Sequence, residues 1–131
     1  MRKYLCFFCL VFIGCSRNYE LNCNYVDYSC IYGVRSVYDR LVFENDKLVS
    51  FNRNIVVSVH DNLNVKKSLK LEGKAFKKLV GGKYRLSDGG DNVKLVLKAK
   101  PSSNFNYIGI DVNDGYENIK SSYSSLGFSC K

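Results

Sequence analysis

From residue 25 onward the chain alternates short β-branched and aromatic runs with clusters of Asn, Asp, Gly and Ser, and Pro101 is its single proline. The run from Val93 to Ala99 shows the pattern most cleanly. Val93, Leu95 and Leu97 share one side, while Lys94, Val96 and Lys98 share the other, which is the period of a half-buried antiparallel strand. Tyr25 to Tyr32 is rich in residues that suit a pleated surface and predicts a first strand. Val34–Phe43 continues it, with Val37, Leu41 and Phe43 as core candidates. Leu48–Phe51, Ile55–Val59, Val65–Glu72, Lys83–Leu86, Phe105–Val112, Tyr116–Ile119 and Tyr123–Cys130 read as further strands. Between them lie turn clusters at 44–46, 60–62, 87–92, 101–104 and 113–115. Lys74 to Val80 is ambiguous: Ala75, Phe76, Leu79 and Val80 fall at helical spacing with Gly81 as a C-cap, yet the β-rich neighbours favour a strand or loop. The expectation is one all-β domain over residues 25–131, a small antiparallel barrel or sandwich.

The first fourteen residues have a different character. Arg2 and Lys3 precede an uncharged apolar run from Tyr4 to Ile13, and Gly14-Cys15-Ser16 leads into polar sequence at Arg17 and Asn18. A positive start, a short apolar core and small residues at the exit form an export signal. Ten apolar residues are too few to span a bilayer, which takes about 20. Phe12-Ile13-Gly14-Cys15 resembles the box at which bacterial lipoproteins are cleaved and acylated. The resemblance implies a signal peptide over 1–14, lipid on Cys15, and a polar tether over 15–24. It implies an address in the cell envelope, with the outer membrane favoured. Cleavage after Ser16 would instead give a secreted or periplasmic protein.

An exported chain meets an oxidising compartment, so its cysteines become candidates for bridges. Cys6 and Cys9 leave with the signal. Lipid on Cys15 leaves Cys23, Cys30 and Cys130, hence one pair and one thiol; without lipid, four cysteines allow two bridges. A Cys30–Cys130 bridge is the expected pair, since it closes nearly the whole domain. The formal charge is +8, and loss of Arg2 and Lys3 leaves eighteen basic against twelve acidic residues, about +6. Such a balance draws an exported protein toward anionic partners.

The charge is densest at Lys66, Lys67, Lys70, Lys74, Lys77, Lys78, Lys83 and Arg85, opposed only by Glu72. An anionic lipid or glycan suits this strip. Nucleic acid does not, because few aromatics are interleaved with the lysines. His60 is the single histidine and sits in a turn beside Asp61. No nucleophile elbow, phosphate loop or dinucleotide fingerprint occurs, so binding rather than catalysis is expected, with no cofactor. The acidic loops at Asp88, Asp91 and Asn92, and at Asp111, Asn113 and Asp114, lack EF-hand spacing and read as turns rather than metal sites.

Tyr28-Ser29-Cys30, Gly81-x-Lys83-Tyr84, Lys98 and Cys130 together resemble, in outline, the bacterial inhibitors of C-type lysozyme. Those are small, often lipid-anchored β-barrels with an early cysteine, a late cysteine and an inhibitory loop ending in a basic residue and tyrosine. Val80 stands where that loop carries serine, and the chain has no tryptophan. The resemblance implies a C-type lysozyme as partner, with Lys83, Tyr84 and Lys98 at the contact.

Overall fold

The computed structural model describes residues 18–29, 33–59 and 62–131. The expected signal segment, Cys15, Cys30, His60 and Asp61 lie outside them. Strands β1 (Asn18–Asp27), β2 (Gly33–Glu44) and β3 (Lys47–Val59) are followed by helix α1 (Asn62–Val80). Strands β4 (Lys83–Asp88) and β5 (Asn92–Ala99), a 3-10 helix over Ser103–Ile108, helix α2 (Tyr116–Ser125) and a short β6 (Ser129–Cys130) complete the order. The strands form one antiparallel sheet in the order β4-β5-β3-β2-β1-β6.

Hairpin chemistry sets the first half. Asn45 and Asp46 take φ of 50° and 62°, the left-handed pair that lets a two-residue loop follow the twist of β2 and β3. The second half is set by a crossover. Both β3 and β4 pair antiparallel with β5, so they run in the same direction, and α1 connects them across one face of the sheet.

That face holds the core. Leu21, Leu41, Phe43, Phe51, Ile55, Val93 and Leu95 are buried on the sheet, beneath Val65, Leu69, Phe76 and Val80 of α1 and Ile119 and Tyr123 of α2. Phe51 lies at the centre, its ring 5.5 Å from Phe105 and 6.3 Å from Phe76. One row of neighbours crosses all six strands on this side: Tyr84, Leu97, Arg53, Asp39, Cys23 and Cys130. Among the described residues, neither helix covers the opposite face.

The fold is therefore β-rich but not all-β, and the sheet does not close into a barrel. The alternation expected at Val65–Glu72 is one side of a helix: Val65, Leu69, Phe76 and Val80 recur at i, i+4, i+11 and i+15 and pack on the sheet, while Leu71 points outward. Lys74–Val80 is the end of the same helix, closed at Gly81. Phe105–Val112 is not a strand. Ser102 accepts from Asn104 N–H to start a 3-10 helix, and Gly109 in a left-handed conformation ends it. Tyr116, Ile119 and Tyr123 lie on the inner side of α2. The Asp46 carboxylate, reaching from the β2–β3 turn, accepts from the Tyr116 N–H at 2.9 Å and supplies the cap that Gly115 cannot. Residues 18–24, expected as tether, belong to β1.

Cys130 pairs with Cys23, not with Cys30. Asn22 and Lys131 exchange both backbone hydrogen bonds, at 3.1 and 2.8 Å. The next pair along, Cys23 and Cys130, is therefore a non-hydrogen-bonded pair, in which facing side chains come closest. Their Cα atoms are 4.1 Å apart.

Candidate functional site

A strand directs successive side chains to opposite faces. The row next to Tyr84–Cys130 therefore points to the uncovered side. It reads Lys83, Lys98, Asn52, Arg40, Asn22 and Lys131 across the six-stranded sheet. All are exposed except Asn52, which is half-buried. The next row on that side, Arg85, Val96, Asn54, Tyr38, Asn24 and Ser129, adds one more cation and an exposed tyrosine.

A groove of about 880 Å³ opens at the β4 end of this row. Arg40, Asn52, Lys83, Lys98 and Lys100 line it, with Ser50, Ser102 and Asn104. Lys83 and Lys98 are directly opposed in the β4–β5 register. Like charges so placed oppose strand pairing. Arg40 is engaged by Glu20 at 2.6 and 3.1 Å, and its hydrogen bonds hold the Glu20 carboxyl below the usual carboxylate range. Asn52 Oδ1 is buried with no hydrogen-bond partner. The groove thus gathers two lysines opposed in register, a third at Lys100 and the Asn52 amide.

Local backbone chemistry shapes the groove wall. Gly81 sits at φ 84°, ends α1 and donates its N–H to the Lys77 carbonyl at 3.1 Å. At Gly82 a Cβ would fall 2.3 Å from the Lys98 carbonyl oxygen and 2.4 Å from the Phe76 ring. The glycine pair lets the chain pass between the helix end and β5, which delivers Lys83 to the groove.

The expected site residues divide accordingly. Lys83 and Lys98 come together. Tyr84 does not join them, because strand alternation turns its ring under α1, against Gly73. Lys74, Lys77 and Lys78 lie on the exposed side of α1 and do not line the groove. The lysine strip is therefore two surfaces, with Lys83 and Arg85 on one and the helical lysines on the other. Lys66 is spent on Asp88 at 3.1 Å. Arg40, Asn52, Asn22 and Lys131 carry no local motif; they emerge from cross-strand register alone. The two acidic loops are turns: Asp88 Oδ1 accepts from Gly90 N–H, and Asp111 Oδ1 from Asn113 N–H, each at 2.9 Å. Among the described residues no three His, Cys, Asp or Glu side chains gather as metal ligands, and no helix is long and apolar enough to cross a membrane.

A second polar cluster sits inside the covered face. The Asp39 carboxylate is fully buried and takes both forks of the Arg53 guanidinium, at 2.7 and 2.6 Å, and the Tyr123 hydroxyl at 2.5 Å. Burial and the Asp39 charge push the Tyr123 hydroxyl far above its ordinary value. Burial is the largest single influence on Arg53 and disfavours its charge, yet the hydrogen bonds and charge of Asp39, with Tyr123, together outweigh it and hold that group above its usual range. These bonds tie α2 to β2 and β3.

No protein-family model, curated protein or solved structure matches this chain.

Proposed function

We propose that this chain is a non-enzymatic, lipid-anchored protein of the bacterial cell envelope, whose domain binds an acidic glycan in the groove of the uncovered sheet face. The row Lys83–Lys98–Asn52–Arg40 carries the reading. Opposed lysines weaken strand pairing, and an anion between them converts repulsion into charge-assisted hydrogen bonds. Asn52 lines the same groove and sets an amide beside the cations. A bare phosphate ion matches the cations alone, whereas a sugar brings hydroxyls for the polar wall beside its carboxylate. Ser50, Ser102 and Asn104 extend the same polar chemistry along the wall.

The test is titration of the full chain with polygalacturonate and with a neutral glucan. Binding should be confined to the acidic polymer and weaken with salt. Lys98→Glu should abolish it and should also stabilise the fold slightly, because a carboxylate facing Lys83 replaces repulsion with attraction. Equal binding of both polymers, or full affinity in the Lys98→Glu variant, overturns the reading. Export rests on the pattern of residues 1–16, and mass spectrometry of the mature N-terminus tests it: an unmodified start at Arg17 refutes the lipid.

The placement of Lys83 beside Lys98 favours a second reading, inhibition of a C-type lysozyme. The packing of Tyr84 under α1 opposes it. Cell-wall lysis that proceeds unchanged in the presence of micromolar protein removes it.

A further inference from the structure

We infer that α1 rests lengthwise on an anionic bilayer, through a pole that neither the core nor the groove uses. Residues 63, 67, 70, 71, 74 and 78 recur at i, i+4, i+7, i+8, i+11 and i+15, which places them in one stripe along the helix. All six are exposed, and the inner face of the helix is already filled by Val65, Leu69, Phe76 and Val80. The stripe holds Lys67, Lys70, Lys74 and Lys78 together with Leu63 and Leu71, which are 65% and 67% exposed. These leucines are large, face away from the sheet, and stand among ammonium groups rather than in an apolar patch.

Charge decides the occupant. Glu72 is the helix's single acid, and Arg35 takes both its oxygens, at 2.9 and 2.6 Å. Nothing on the stripe neutralises its four lysines, and Lys77 adds a fifth charge beside them. The first turn carries no acid to complement the helix dipole. An anionic membrane surface matches all parts at once: lysine stems reach out to headgroups while leucines enter the acyl boundary between them. A soluble acidic polymer would satisfy the lysines and leave the leucines in water. The contact is peripheral, since no described helix is apolar enough to cross.

The chain has no tryptophan, so one introduced tryptophan reports on its own surroundings. Full chain carrying Leu71→Trp is mixed with phosphatidylcholine–phosphatidylglycerol vesicles containing brominated acyl chains, with Tyr38→Trp as the reporter on the opposite sheet face. Emission from the Leu71→Trp variant should shift to the blue and be quenched with the anionic lipid, and stay unquenched in pure phosphatidylcholine. Adding Lys67→Ala, Lys74→Ala and Lys78→Ala should lower the ratio of docked to undocked helix about a hundredfold, from the attraction each lysine near such a surface supplies. Because residue 71 is read directly, attachment through the N-terminus alone leaves it unquenched. Unchanged emission from the Leu71→Trp variant on anionic vesicles overturns the inference, as does equal or stronger quenching at the Tyr38→Trp reporter.

Discussion

Asp39→Ala is the sharpest perturbation of this fold, because three elements meet at one carboxylate. The substitution removes two hydrogen bonds from Arg53 and one from Tyr123. Breaking one side of a buried ion pair costs about 3–5 kcal/mol, most of it from the charge left behind. The Arg53 side chain retains 19% of its exposure and reaches some water, so the low end applies, about 3 kcal/mol. For a domain of this size that lowers Tm by roughly 12 °C, at about 4 °C per kcal/mol. Circular dichroism during heating and urea titration, with the Cys23–Cys130 bridge intact, measures it. The reasoning makes a second demand. If the cost is a stranded charge and not a lost contact, removing all three polar partners should recover most of it. Asp39→Leu with Arg53→Met and Tyr123→Phe should stand closer to the parent than Asp39→Ala does. A loss below about 1 kcal/mol in the single variant, or a triple variant as unstable as the single, refutes the argument.

Three further outcomes follow from other parts of the structure. The bridge closes a separation of 107 residues, so Cys23→Ala with Cys130→Ala should cost about 4 kcal/mol in urea titration. Tyr123 holds its proton more tightly folded than unfolded; its stabilising effect is complete below the ordinary tyrosine value near pH 10 and is lost as pH rises above it. Stability should fall there by up to about 1.4 kcal/mol per pH unit from this group, and Tyr123→Phe should remove that slope. Asp46→Ala deprives α2 of its cap and should cost about 1 kcal/mol by thermal melting, with amide exchange rising first at Tyr116.

The strands with one buried side were legible from sequence, because period two survives any context. Val93, Leu95 and Leu97 show this in β5, and Val37, Leu41 and Phe43 in β2. Helix α1 was not, although its spacing and the Gly81 cap were visible. Leu71 breaks its apolar stripe, and its lysines alternate with apolar residues as in a strand with one wet face. Helix α2 is built from Tyr, Asn and Ser, whose helix propensity is modest, and its cap comes from Asp46, seventy residues away. The cysteine pairing depended on which strand lies beside β6, which no spacing reveals. Of the groove row, Lys83 and Lys98 stood out by residue type. Arg40, Asn52 and Asn22 did not, since only register gathers them; the available signal was that positions opposite each strand's apolar side are mostly polar.

The clasp between β1 and β6 also fixes how the molecule carries tension. A pull applied between the two termini enters at β1 and passes from Cys23 directly to Cys130. Everything from residue 24 to residue 129, including both helices and the groove, lies off that line of force. A chain held at one end and drawn at the other would yield at its short terminal segments while the sheet between the two cysteines stayed folded. Reduction of one bond would put the whole domain back under load.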